Sequence, residues 1–338
     1  MRTDVLVIGG GPAGLAAAIA ARCRGLSVTL ADAARPPIDK ACGECVLPAG
    51  VEVLHGLGVR ISEDDGFAIQ GIRLVDRGIS VEVKFREGPG LALRRTRLHQ
   101  ILTERAIEAG VRLLWGTCAS AASELVSSRW VVGADGQNSH VRRAAGLDAA
   151  SHESSRFGFR RHFRLSPWTD FVEVHWGRRC QVYVTPVSGD EIGIALLSRD
   201  RHLRLDNALA EFPELQRRLR GSGASSAERG AATVSRRLRC VVAGRTALVG
   251  DASGSVDAIT GEGLSLSFHQ AVALSEAFAS GGLGTYQAAH SRLAVGPIRL
   301  ASLLLCMDRS PLLRRTILRL LSLEPQMFAR WMMSLMGR

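Results

Sequence analysis

VLVIGGGPAGLAAAIAARCRGLSVTLAD, residues 5–32, decides the fold. Val5, Leu6, Val7 and Ile8 form a continuous apolar run, as a strand buried on both faces requires. Gly9, Gly11 and Gly14 follow with GxGxxG spacing. The first glycine permits a tight turn, the second lets backbone approach a pyrophosphate, and the third packs a helix against the strand. Pro12 and Ala13 open that helix, predicted over 12–23, whose unpaired N–H groups and positive dipole end aim at the phosphate. Val28, Thr29 and Leu30 form a second strand with Asp32 at its tip. A carboxylate there accepts from ribose hydroxyls and repels a 2′-phosphate, favouring FAD or NAD over NADP. The glycines break the apolar run and no small-residue cleavage site follows, so the segment reads as neither a signal peptide nor a membrane span.

At 338 residues the chain is long enough for two closely packed domains. Its formal charge of +11 is almost wholly arginine, since Lys40 and Lys84 are the only lysines. The basic residues are scattered and not interleaved with aromatics, so a nucleic-acid partner is not expected. Seven cysteines, odd in number and dispersed, predict free thiols in a reducing cytoplasm. Cys42 and Cys45 have CxxC spacing, which fits a dithiol. No second CxxC or CxxH accompanies them, so no metal site is expected.

The organisation predicted is α/β: a Rossmann-like domain interleaved with an antiparallel β-sheet domain and a helical C-terminus. The first comprises 1–75, 91–150 and 240–285; the second, 76–90 and 151–239; the third, 286–338. A helix over 98–110, a strand over 130–133 and a strand over 246–249 belong to the first. In the second, FVEVHW, QVYVTP and EIGIALLS alternate or run apolar, and Ser188-Gly189-Asp190 supplies a hairpin turn. Alternation puts Gln181, Tyr183 and Thr185 on one face. Phe157, Phe159, His162, Trp168, His175 and Trp176 are candidates for pocket lining. In the C-terminal segment Leu312, Leu313, Ile317, Leu320 and Leu321 form an apolar face against Arg314, Arg315 and Arg319. This suits a closing helix, a lid or peripheral membrane contact.

Further motifs lie in order along the chain: Lys40-Ala-Cys42-Gly43-Glu44, Arg95-Thr-Arg-Leu98-His99, GADGQNSHVRR with Asp135 and Gly136, Gly250-Asp251, and Thr260-Gly261-Glu262-Gly263. Asp251 at a strand tip suits polyol hydroxyls. TGEG opening a helix points N–H groups and a dipole at its ligand. Together the motifs resemble the p-hydroxybenzoate hydroxylase-fold FAD-dependent oxidoreductases, and within them the geranylgeranyl reductase-like branch. GDASG followed by TGEG is closer to the reductase pattern than to the hydroxylase GDAAH, although Ala258 stands where both patterns have proline. Glu44 replaces the second glycine of the reductases' KxCGG, and Tyr183 the tryptophan of their YxWxFP.

The resemblance implies FAD held by Gly9, Gly11, Pro12, Ala13, Gly14, Asp32, Arg35, Cys42, Gly43, Arg95, Asp135, Gly136, Gly250, Asp251, Gly261, Glu262 and Gly263. It implies catalytic roles for Cys42 and Tyr183. NAD(P)H or a separate electron donor would reduce the flavin, and a lipophilic small molecule of isoprenoid or polyketide type would be the substrate. The expected reaction is hydride transfer to a C=C bond. The alternative is a monooxygenase that captures O₂ as a flavin hydroperoxide. A halogenase lacks support, because WxWxIP is absent, and a non-catalytic flavoprotein subunit would need no aromatic-bearing sheet.

Overall fold

The computed structural model describes residues 2–323, apart from the side chains at 63, 124 and 150–154. Three sheets organise these residues. The first runs Val242–Ala243, Thr246–Leu248, Ser127–Gly133, Arg2–Ile8, Val28–Asp32, Arg112–Trp115, and every neighbouring pair after the first is parallel. Its central strand is buried from Val5 to Ile8, with Val5 and Val7 fully inside. The helix Pro12–Cys23 packs on it between the helices Arg95–Glu108 and Gly263–Ala279. Its alanines at 16, 17, 18, 20 and 21 are buried, and their small side chains let these helices approach closely.

The second sheet runs Arg229–Leu238, Ala150–Arg164, Glu191–Ser198, Cys180–Ser188, Phe171–Trp176, Gly71–Asp76, Ile79–Lys84. All neighbours are antiparallel except Phe171–Trp176 with Gly71–Asp76. The boundary drawn at 75/76 from sequence therefore falls inside a strand of this sheet. A short third sheet, Cys45–Val46, Gly90–Ala92 and Phe67–Ile69, lies between the two. The far face of the second sheet buries Val182, Val184, Ile192 and Ile194 against the helices Leu205–Leu209 and Pro213–Leu219.

The described C-terminal segment is helical, as expected, but a different face of its last helix turns inward. One helix, Gly284–Arg309, carries Pro297 within it, and a second spans Pro311–Leu323. In the second, Arg314 and Leu318 point inward, with Ile317 and Leu321 partly buried, whereas Leu312 and Leu320 are exposed. The buried carboxylate of Asp76 accepts from Arg314 Nε at 2.8 Å and turns the helix so that an arginine lies inside. The rest of the C-terminal stretch read as helical, 324–338, lies outside the described residues. No helix among the described residues is long and apolar enough to cross a membrane.

His290 ties the long helix to the Gly250-Asp251 turn: its Nε2 lies 3.0 Å from Ser253 Oγ, which itself donates to the Gly250 carbonyl. Burial lowers the His290 pKa from 6.5 to about 4. Between those values the unfolded chain binds a proton that the folded protein excludes. The stabilisation is complete above pH 6.5 and is lost as the pH falls towards 4. His290→Gln should flatten this part of the acid limb of the Tm–pH profile by on the order of 2 kcal/mol. Parallel acid limbs in the two proteins would refute it.

Candidate active site

The glycine turn is built by steric exclusion. A Cβ on Gly9 would lie 2.3 Å from the Ala134 carbonyl oxygen, and one on Gly14 would lie 1.9 Å from the Gly9 carbonyl oxygen. Strand, turn and helix are thus packed backbone to backbone, as the spacing predicts. Asp32 Oδ2 accepts from the Gly10 N–H at 2.6 Å and its Oδ1 accepts from Ala34 N–H at 2.7 Å, fixing the second strand tip to the turn. His99 holds the other side, with Nε2 at 2.9 Å from the Gly10 carbonyl oxygen, and burial lowers its pKa. A neutral ring donating from Nε2 satisfies both observations.

A cavity of about 720 Å³ begins at this turn and runs between the first two sheets. Gly9, Gly11, Pro12, Ala13, Asp32, Cys42, Gly43, Arg95, Asp135, Gly136, Gly250, Asp251, Gly261, Glu262 and Gly263 all line it. Gly14 lies behind the turn as a packing residue. Arg35 is exposed and lies against Gly116, beside the cavity and outside its lining. Asp135 lines the cavity but spends its carboxylate on the helix His140–Ala144, accepting from His140 N–H at 2.7 Å and from Ser139 Oγ. Arg142 joins the two strand-end turns, donating to the Gln137 and Ala252 carbonyls at 2.7 and 3.2 Å. Lys40 Nζ stands 3.7 Å from Asp251 Oδ2.

The lining fits FAD on two independent counts. Arg95 Nε is buried without a partner among the described residues, and its Nη2 is 4.0 Å from the Cβ position of Gly11, where no other atom of those residues lies within 4 Å. A pyrophosphate oxygen suits that donor and that space. At the other end, Cβ positions on Gly261 and Gly263 meet nothing within 4 Å among the described residues, and the helix Gly263–Ala279 starts there with its unpaired N–H groups. The electron-rich edge of a flavin suits that dipole.

Beyond the glycine-rich end the lining becomes apolar. One face of the second sheet supplies Leu74, Val174, Trp176 and Leu197, and the helix Gly284–Arg309 supplies Leu300 and Leu304. Of the aromatic candidates Trp176 faces this chamber. Phe159 only edges the cavity, its ring covered by Arg204. Trp168 and His175 lie with Glu173 on the far side, where alternation along Phe171–Trp176 sends the odd-numbered residues. Tyr183 reaches the chamber, but its hydroxyl donates to the Ile259 carbonyl at 3.1 Å, and burial pushes its pKa upward. Its hydroxyl thus ties the second sheet to the 258–260 turn. Cys42 Sγ accepts from Glu44 N–H at 3.3 Å, and burial pushes the Cys45 thiol up to about 12, so that thiol stays protonated at neutral pH.

The sequence reading missed a tightly held ionisable group in the lining. Glu44 is buried, adopts φ +58°, and accepts from the Arg95 N–H at 2.8 Å. Its other oxygen lies 2.6 Å from His162 Nε2. The available signal was a carboxylate in a glycine position.

The FAD binding domain model matches residues 2–124 and 119–293. Menaquinone reductase of Mycobacterium tuberculosis is 31% identical over 298 residues, 77% of this chain and 72% of that protein. The 6-methylpretetramide 4-monooxygenase of Streptomyces rimosus is 34% identical over 177 residues, 43% of this chain and 41% of that protein. The solved geranylgeranyl bacteriochlorophyll reductase-like protein of Thermoplasma acidophilum superposes with a TM-score of 0.73 at 19% identity, covering 89% of this chain and 87% of that one. With the glycine turn, the free Arg95 donor and the TGEG helix in one groove, this chain belongs to the FAD binding domain family of p-hydroxybenzoate hydroxylase-fold flavoenzymes and is an FAD-dependent oxidoreductase.

Proposed function

We propose that this protein saturates a carbon–carbon double bond in a lipophilic molecule of isoprenoid or polyketide type. The observation that carries the reading is the apolar chamber continuous with the flavin groove. The longer alignment, with a reductase, favours reduction over oxygenation. FAD bound here supplies two electrons as a hydride.

The chain's own residues do the rest. The glycine turn, Arg95 and Asp32 hold the dinucleotide, and Asp251 takes polyol hydroxyls with Lys40 beside it. The first turn of the Gly263–Ala279 helix would hold the flavin edge on which negative charge gathers during reduction, and so would favour the reduced form. Tyr183 fixes that helix's approach through Ile259. Leu74, Val174, Leu197, Leu300 and Leu304 bind the substrate by apolar burial and exclude water. Cys42 lines the cavity and is the proposed contact to the reacting face.

The test is anaerobic incubation of the yellow protein with dithionite or NAD(P)H and either menaquinone or a geranylgeranyl lipid, followed by mass spectrometry. Gain of two hydrogens is the expected result. Gain of an oxygen atom under air, with no anaerobic product, would replace reduction by monooxygenation.

A further inference from the structure

Glu44, His162 and Ser226 form a chain from the outer face of the protein to the cavity wall. Ser226 is half-buried beside the exposed Ala227, whereas His162 is fully buried. Ser226 Oγ accepts from the His162 backbone N–H at 3.1 Å and lies 2.8 Å from Nδ1, so its own proton can point at that nitrogen. Nδ1 then accepts, and Nε2 carries the hydrogen that reaches Glu44 Oε2 at 2.6 Å. Arg160 flanks the ring, its Nη1 3.0 Å from Nδ1 and 3.3 Å from Nε2.

The charges around this chain are fixed on every side. Arg160 pairs with Asp39 at 2.5 Å and stands 3.8 Å from Glu44 Oε1. Arg94 binds Glu191, and both act electrostatically on the pair, Arg94 on Glu44 and Glu191 on His162. The Arg95 N–H occupies the other oxygen of Glu44. Every donor in the chain therefore points inward. A non-glycine residue held at positive φ is a strained arrangement that the surroundings must enforce.

We propose that Ser226, His162 and Glu44 are an inward proton relay, and that Glu44 delivers the proton needed to complete saturation of the substrate double bond. The proposal rests on the reduction reading above. The His162 Nε2 proton first loads the Glu44 carboxylate, the Ser226 hydroxyl proton takes its place on Nδ1, and a water proton restores Ser226, leaving hydroxide outside. The hydride that FAD would supply then forms the first C–H bond, and the π electron pair forms the second with the proton released from the loaded Glu44 carboxyl. Glu44 lines the cavity. His162 and Ser226 act through it as positioning and relay residues.

The experiment uses the holoprotein and the Glu44→Gln, His162→Gln and Ser226→Ala variants. The first two should stay yellow and be reduced by dithionite at the wild-type rate, yet form saturated product about 100-fold or more slowly. Ser226→Ala, a smaller change near the surface, should slow product formation about tenfold and alter the solvent isotope effect. A readout independent of turnover is ¹⁵N NMR of histidine-labelled protein, with His162→Gln used for assignment. A neutral His162 with the hydrogen on Nε2 at pH 7 is expected. An imidazolium or an Nδ1–H tautomer would overturn the relay, as would wild-type product rates and pH profile in both glutamine variants. Those results leave double-bond reduction standing, whereas oxygen insertion by the wild type removes the reduction reading itself.

Discussion

Gly14→Ala is expected to yield a protein that purifies colourless and does not take up FAD on soaking. The added Cβ would lie 1.9 Å from the Gly9 carbonyl oxygen and 3.1 Å from the Ala134 Cβ. No side chain can move aside, because the first obstacle is backbone. Either the helix Pro12–Cys23 retreats from the strand or the turn opens, and each displaces the N–H groups that would face the pyrophosphate. Overpacking of this kind costs roughly 1–3 kcal/mol in stability, but binding suffers more because donor positions tolerate little shift. Gly25→Ala is the matched control. Gly25 has φ +80° and open space around its Cβ position, so alanine there meets strain alone, about 1–2 kcal/mol, and should leave the yellow colour intact. A Gly14→Ala protein with one FAD per chain would show that the turn does not carry the cofactor.

The glycine turn was legible because all its constraints lie within one short window. Local spacing states which atoms must approach, and the strand and helix on either side confirm the geometry. The Glu44–His162 pair was not legible in this way. Its members are 118 residues apart, brought together by the register of Ala150–Arg164 against Glu191–Ser198. Alternation placed Tyr183 and Thr185 on one face, and both line the cavity. It could not say which face of the second sheet looks inward, and so Trp168 and His175 were read as pocket residues. The C-terminal helix fails for a related reason: periodicity counts leucines, whereas a buried Asp76 in another sheet draws Arg314 inside. Local rules predict elements well, but pairing of charges across the chain is set only by the packed fold.

Arg156→Met is expected to lower stability by about 3–5 kcal/mol, a fall of roughly 4–7 °C in Tm, and to weaken FAD binding with it. Arg156 is buried on the cavity side of Ala150–Arg164 and donates to Asp257 at 3.1 Å, to Gln181 at 3.1 Å and to Asp308 at 2.9 Å. One guanidinium thus joins the antiparallel sheet, the turn before the TGEG helix, and the helix Gly284–Arg309. Methionine fills much of the space but leaves Asp257 without its cation, and removing one partner of a buried pair is the costly change. Arg199, 3.2 Å from Asp308, compensates only that carboxylate. The loss extends to the cofactor because Asp257 caps the 258–260 turn, accepting from the Ile259 N–H at 3.1 Å, and that turn leads into Gly261 and Gly263. Arg156→Lys should recover only part of the stability, since a single ammonium cannot serve three partners in a fixed fork. Thermal unfolding and FAD titration of both variants decide the matter: an unchanged Tm together with unchanged FAD affinity in Arg156→Met would show that the network neither supports the fold nor shapes the flavin end of the groove.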